Sequence, residues 1–270
     1  MVKYNFTYDL VFKASLESCP KGAIKLLKEF VSDLKDVSLD ENVTFLKQGN
    51  IKGVDIKTTI FDVNLQVADK LVELEMQKAK RDYKMQNRML KYFSDLVSSA
   101  FEKGDDYHHK PCYSVWFLGF KQFDDKSFIH EVELKDNNNN KFVDDAKIII
   151  VEFEKFKNLD YNKNRWYKLF ITNDLESLKG DDLIMNELAD KIKDLNNDEE
   201  FIRVIDMKER AEREYNAGIN SAKEKGIEIG MEKGEKHKAF MIAKNLKEMN
   251  LSIEQIEKAT GLSKEEIESL

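Results

Sequence analysis

Two carboxylates and an amide in one short stretch carry the clearest chemistry of this chain. Phe61 to Gln77 reads FDVNLQVADKLVELEMQ, two β-rich runs on either side of Ala68-Asp69. With that pair as a two-residue turn, Val67 faces Lys70 and Asp62 faces Glu75. Directly opposed residues share a sheet face with Cβ atoms roughly 4.5–5.5 Å apart. Two carboxylates that close repel unless they share a cation or a proton. Gln77 follows Glu75 by two positions, so strand alternation puts it on the same face, while Val72, Leu74 and Met76 point the other way into a core. Such an oxygen-donor set suits Mg²⁺ or Mn²⁺. An ion there would lower the pKa of a water and clamp phosphoryl oxygens, which phosphodiester hydrolysis needs. Ala-Asp is a weaker turn signal than Asn-Gly or Asp-Gly.

Neighbouring acids and histidines are weaker candidates. Asp55 lies on the same run as Asp62 with opposite parity, so a regular strand turns the two to opposite faces. A bulge would exchange them, and Asp55, 20 residues before Glu75, is the reserve candidate. Glu73 shares the parity of Glu75 and reads as a solvated strand residue near the sheet's edge, with a third site carboxylate as the alternative. Asp105, Asp106, His108, His109 and Cys112 invite a metal reading. Adjacent histidines on an extended chain point apart, and no second Cys/His pair stands at zinc spacing. This segment reads as a polar loop before a strand.

The elements that must position these residues follow from periodicity. Residues 7–18 read as a helix with Thr7 as N-cap and Leu10, Val11 and Ala14 inward. Asp9 and Lys13, four apart, share one of its faces. Pro20 and Gly22 break the chain, and 22–35 is amphipathic, with Ile24, Leu27, Phe30, Val31 and Leu34 as its core side. Strands are expected from Val43 to Leu46, Val54 to Leu65, Tyr113 to Phe120, Phe128 to Leu134 and Ala146 to Phe153. A turn is expected at Gln48-Gly49-Asn50, and a hairpin tip from Lys135 to Lys141. Lys78 to Phe101 reads as one long helix. Its apolar side has Met85, Met89, Tyr92, Phe93 and Leu96. Lys80, Lys84, Arg88 and Lys91 form a basic stripe, with Arg81 beside it. Directly after a carboxylate site, such a stripe suits a phosphate backbone. Arg165 to Ile171 is a short helix with Trp166 in the core. Residues 181–195 form another, with Leu183, Met185, Leu188, Ala189 and Ile192 inside.

Several fragments together point to a family. Tyr8-Asp9-Leu10-Val11-Phe12-Lys13, then Phe61-Asp62-Val63, then Glu75-Met76-Gln77, in that order and spacing, resemble the PD-(D/E)XK nuclease family transposases, relatives of the recombination-promoting nucleases. Arg88 through Leu96, Lys103 through Tyr107 and the charged, Gly-spaced tail resemble the family too. The resemblance implies an α/β fold: a restriction-endonuclease-like core, a mixed sheet flanked by helices, over residues 1–198. It implies a metal-dependent DNA endonuclease acting in DNA mobility or recombination, with Mg²⁺ or Mn²⁺ on Asp62 and Glu75. The Met76 carbonyl would be a further ligand, Asp9 a support for the ion or its water, and Lys13 a phosphate contact. Lys80, Arg81, Lys84 and Arg88 would meet the nucleic acid. Where the family has a lysine this chain has Gln77, which can orient a water but brings no charge. Lys13, Lys57 or Lys78 would supply the cation instead. Lys13 is preferred, because alternation turns Lys78 away from Gln77. The alternative is a nuclease fold, weakly active or inactive, that works as a binding module through its helical arm. RNA stays open as a substrate.

Composition sets the outer bounds. The 270 residues suit a core of about 200 plus an appendage; they are 41% hydrophobic and 35% charged, with two prolines and a formal charge of −7. That charge argues against indiscriminate nucleic-acid binding while leaving room for a local basic groove. Cys19 and Cys112 give no disulfide framework, which fits a reducing cytoplasm. The N-terminus lacks a signal pattern, and no apolar run is long enough for a membrane span. Residues 199–270 form a helical arm. Gly218, Gly226, Gly230 and Gly234 recur at multiples of four, each costing about 1 kcal/mol relative to Ala within a helix. Close approach of another helix, as in a homodimer, would offset that cost. From Leu251 to Leu270, Ser252 with Gln255 and Ser263 with Glu266 mark two capping boxes around a Thr260-Gly261 turn. This resembles a helix-turn-helix, but Glu265, Glu266 and Glu268 on the second helix favour packing over groove binding.

Overall fold

The hairpin expected at Ala68-Asp69 forms. Strands β2 (Val63–Val67) and β3 (Lys70–Gln77) pair antiparallel, with Val67 opposite Lys70 and Val63 opposite Leu74. That is the register a two-residue turn dictates. Ala68 holds the turn at φ 54, a left-handed conformation uncommon for a residue with a Cβ. This computed structural model describes residues 3–46, 63–78, 84–101 and 107–270. Asp55, Lys57, Asp62, Lys80, Arg81, Asp105, Asp106 and the Gln48-Gly49-Asn50 turn lie outside the described residues.

The hairpin belongs to a six-stranded sheet of order β1-β2-β3-β4-β6-β5. Strand β1 (Val43–Phe45) pairs antiparallel with β2. Strands β4 (Cys112–Leu118) and β6 (Ala146–Glu152) continue from β3 in parallel, and β5 (Ile129–Glu133) closes the edge antiparallel on β6. Every residue of β4 and β6 is buried, as expected of parallel strands covered on both faces.

Register sorts the two faces. Leu71, Glu73, Glu75 and Gln77 align with Cys112, Ser114, Trp116 and Leu118, and these with Ala146, Ile148, Ile150 and Glu152. Helix α3 (Met85–Ala100) covers this face, burying Met85, Met89 and Phe93 against it. On the opposite face, α1 (Asp9–Ser18), α2 (Pro20–Phe30), α4 (Arg165–Thr172) and α5 (Leu183–Asn197) pack on an aromatic core. Phe117 is its centre, 5.6 Å from the Phe12 ring, 5.4 Å from Phe30 and 5.3 Å from Phe170. Trp166 lies in this core, as expected.

Element ends differ from the expectations for local reasons. Pro20 does not break the chain; it opens α2, where its missing N–H is no loss. Helix α2 stops at Phe30, and a separate 3₁₀ turn, Ser32–Leu34, buries Leu34. Tyr8, not Thr7, is the N-cap of α1, and it makes no side-chain cap. Leu183 opens α5 at 79% exposure rather than joining its inner face. Lys84 precedes α3 in a non-helical conformation, so the described helix begins at Met85.

Two positions at the ends of β4, Gly119 just after it and Cys112 at its start, carry measurable consequences. The Gly119 N–H donates to the Gln77 carbonyl at 2.9 Å. A Cβ at Gly119 would stand 2.4 Å from the Lys78 carbonyl oxygen and 2.9 Å from Cζ of Phe153. The backbone on one side and a buried ring on the other leave nowhere to yield. Gly119→Ala is expected to cost about 1–3 kcal/mol in a thermal melt. The second position is Cys112. Burial raises its thiol to about 11, and Asp145 adds to the rise. An unfolded thiol ionises near about 8.5. Between those values the unfolded chain sheds a proton that the folded chain keeps. Stability is therefore full below about pH 8.5 and falls as the pH rises towards about 11. Tyr113, raised by burial and then by Asp33 and Asp145, steepens the alkaline end. Urea midpoints measured from neutral to alkaline pH should decline in the wild type, with a shallower slope in Cys112→Ala.

The chain divides into two units, Met1–Ile202 and Arg203–Leu270. The second holds most of α6 (Glu199–Glu248) together with α7 (Ile253–Thr260) and α8 (Lys264–Glu268). Both expected capping boxes form, and Gly261 ends α7 at φ 70. Ile256, Leu262 and Ile267 pack on Ala243 of α6, and Glu266 pairs with Lys236 at 2.8 Å. The helix pair thus packs on the end of α6. No helix of the described residues is long and apolar enough to cross a membrane.

Candidate active site

Alternation along β3 aims Glu73, Glu75 and Gln77 at the underside of α3, and all three are buried. A charge in such a place needs partners. For Glu75 the partner is Arg88, from the first turns of α3. One Arg88 amino group, Nη2, donates to Glu75 Oε1, and the other, Nη1, donates to Gln77 Oε1 at 3.0 Å. The guanidinium also lies over two rings, 5.1 Å from the centre of Tyr92 and 5.5 Å from that of Trp116. The two groups differ sharply in access: the Glu75 side chain is 3% exposed and that of Arg88 32%. The second oxygen, Glu75 Oε2, is buried and has no hydrogen-bond partner among the described residues.

Glu73 corrects its expectation. It is 5% exposed, on an interior strand rather than near an edge. Ser114 Oγ donates to Glu73 Oε2 at 3.1 Å, and Trp116 Nε1 donates to that Ser114 oxygen at 2.9 Å. The chain of bonds also fixes the Trp116 ring on which Arg88 rests. Helix α1 packs on the opposite face through Phe12, where Asp9 Oδ1 accepts from the Leu10 N–H at 2.8 Å and Lys13 lies 3.8 Å from Glu17. The structure therefore places Arg88, rather than Lys13, on Glu75. Arg88 also leaves the expected basic stripe: it turns inward, whereas Lys91 is exposed and pairs with Asp95 at 2.7 Å. Lys84 is exposed. The His109 ring lies 5.4 Å from that of Phe101, tilted by 58°, and stands 3.5 Å from Asp145.

A second polar cluster has no signature in the sequence. Asp125, His130 and Glu152 bring possible ligand atoms within 4.8 Å of one another. The Glu152 carboxylate is fully buried; it accepts from the Gln122 and Phe123 N–H groups and meets His130 Nε2 at 2.9 Å. Lys155 Nζ is already among these groups, 2.5 Å from Glu152 Oε2, 3.2 Å from Asp125 and 2.7 Å from the Ser127 carbonyl. Strand alternation places Glu152 on the sheet, but only the fold returns the 125–130 loop to it.

The model of the PD-(D/E)XK nuclease family transposases matches residues 7–223. The chain belongs to this family. Searches of the curated proteins and of the solved structures found no match. The mixed sheet with flanking helices is the PD-(D/E)XK architecture. Membership makes the protein one of a family of nuclease-type hydrolases, with DNA as the substrate the family implies. PD-(D/E)XK nucleases generally use divalent metals. Of the two acidic groups, the Asp125 cluster already contains the Lys155 ammonium, whereas Glu75 Oε2 is a buried oxygen with no donor among the described residues. The motif glutamate is the better fit to a cation.

Proposed function

We propose that the protein is a divalent-metal-dependent endonuclease that hydrolyses phosphodiester bonds in DNA. Buried Glu75 carries this reading, with one oxygen on Arg88 and the other without a partner among the described residues. Glu75, with Asp62, the residue before β2 in the sequence, would hold Mg²⁺ or Mn²⁺, and the Met76 carbonyl would add a ligand. Such an ion supplies Lewis acidity towards an attacking water and neutralises phosphoryl charge. Gln77 orients water through its amide. The water oxygen bonds phosphorus, one ester P–O bond breaks, and a phosphate monoester and a hydroxyl result. Lys80, Arg81 and Lys84 would follow the strand backbone, where cations gain from counterion release. A cytoplasmic role in DNA mobility or recombination completes the proposal.

Incubation with supercoiled plasmid tests it. Nicking that requires Mg²⁺ or Mn²⁺ and stops with EDTA is the expected result. No cleavage with either ion would overturn it and favour a second reading, a binding module acting through α6. Exposed Tyr215, Ile219, Ile227 and Met231 favour that reading, as do Gly218, Gly226, Gly230 and Gly234, where an added Cβ meets nothing within 4 Å among the described residues. Both features suit a second copy of the helix, and chemical crosslinking of the purified protein would report the dimer.

A further inference from the structure

We propose that Arg88 is a catalytic residue of this site, the fixed cation that meets the scissile phosphodiester and balances the charge its oxygens gain as the ester bond breaks. The inference rests on the nuclease reading above. Hydrolysis concentrates negative charge on the phosphoryl oxygens, and a preorganised donor aimed at that charge lowers the barrier more than any mobile one. On β3 the neutral Gln77 cannot supply it. Arg88 can, and three features of its setting argue that it does. First, its position is fixed on four sides, by Glu75 Oε1, Gln77 Oε1 and the Tyr92 and Trp116 rings. Second, it reaches solvent while its partner is deep: about a third of its side chain is exposed against 3% for Glu75. A guanidinium has five N–H donors in a planar fork, the geometry that matches phosphate. The two bonds it makes to β3 leave donors for an incoming anion. Third, Arg88 occupies only one of the two Glu75 oxygens. The other, Oε2, is buried and has no hydrogen-bond partner among the described residues, so a divalent ion and Arg88 can share the carboxylate rather than compete for it.

The test compares Arg88→Gln and Arg88→Lys with wild type and with Glu75→Ala. Gln keeps a hydrogen-bond donor for the buried carboxylate, so the fold has the best chance of surviving. Plasmid cleavage is followed at saturating Mg²⁺, and Mn²⁺ binding to the same proteins is followed by electron paramagnetic resonance without DNA. Arg88→Gln should lower kcat by about 10²–10³-fold, the scale of losing one preorganised donor, with KM for the plasmid and Mn²⁺ affinity each changed by less than about tenfold. Arg88→Lys, which restores the charge without the fork, should recover at least about tenfold of the lost kcat. Equal kcat in Arg88→Gln and wild type would overturn the inference. So would a loss that excess Mn²⁺ restores in full, or an Arg88→Lys no better than Arg88→Gln, since each would make Arg88 a mere prop for Glu75. Glu75→Ala separates the two levels. If it cleaves like wild type, the nuclease reading of this site fails. If it is inactive while Arg88→Gln is active, only the role of Arg88 fails.

Discussion

Glu75→Ala should abolish metal-dependent cleavage while leaving the fold in place. The expected loss of kcat is on the order of 10³-fold, because the carboxylate is needed by both the ion and Arg88, and groups that act as a unit fail together. Stability should change little. Removing the carboxylate also removes the cost of burying it, and Arg88, with a third of its side chain exposed, can turn to water. The measurements are plasmid nicking with Mg²⁺ and a thermal melt of the same preparation. Cleavage that survives in Glu75→Ala would move the site away from β3. Cleavage lost together with the melting transition would show only that Glu75 holds the fold.

Glu152→Ala should behave in the opposite way, with a large loss of stability. Its carboxylate is fully buried and gathers Lys155, His130 and two backbone N–H groups. The alanine variant leaves the Lys155 ammonium, 5% exposed, without its main counter-charge. Breaking a buried pair from one side costs about 3–5 kcal/mol, to be read from urea midpoints. Glu152→Gln should fall between, because its amide oxygen can still accept from the 122–123 backbone. In Glu75→Ala, which lacks the proposed metal glutamate, EDTA should leave the midpoint where it is, since Lys155 already supplies the positive charge at Glu152. A fall on chelation would instead make Asp125, His130 and Glu152 a metal site.

The comparison between the two sites shows what a sequence can reveal. The β2–β3 hairpin was legible because alternation and a two-residue turn fix register locally, and Val63 opposite Leu74 follows from Val67 opposite Lys70. The core strands and the inner faces of α2 and α3 were legible from apolar periodicity. Arg88 was visible only as one cation in a basic stripe. Its inward aim follows from its place three residues after Met85 and four before Tyr92, on the apolar side of α3. Glu73 was misplaced because its parity says which face it joins but not that α3 covers the face. The Asp125 cluster joins residues from a loop, an edge strand and the end of β6, and no spacing encodes that meeting. Lys13 seemed the better cation because charge and helical position are visible in one dimension, while the side of the sheet on which α1 packs is not.

The parallel pairing of β3 with β4 has a consequence for the order in which the chain folds. The β2–β3 hairpin closes over two residues, and such hairpins form in about 1–10 μs. At that stage Glu75 is on an open ribbon and keeps its water. Parallel pairing must wait for the crossover that contains α3, a slower, long-range event. Arg88 rides on that crossover. The step that takes water from Glu75 therefore also delivers its counter-ion, and the chain need not pass through a state in which the carboxylate is buried alone.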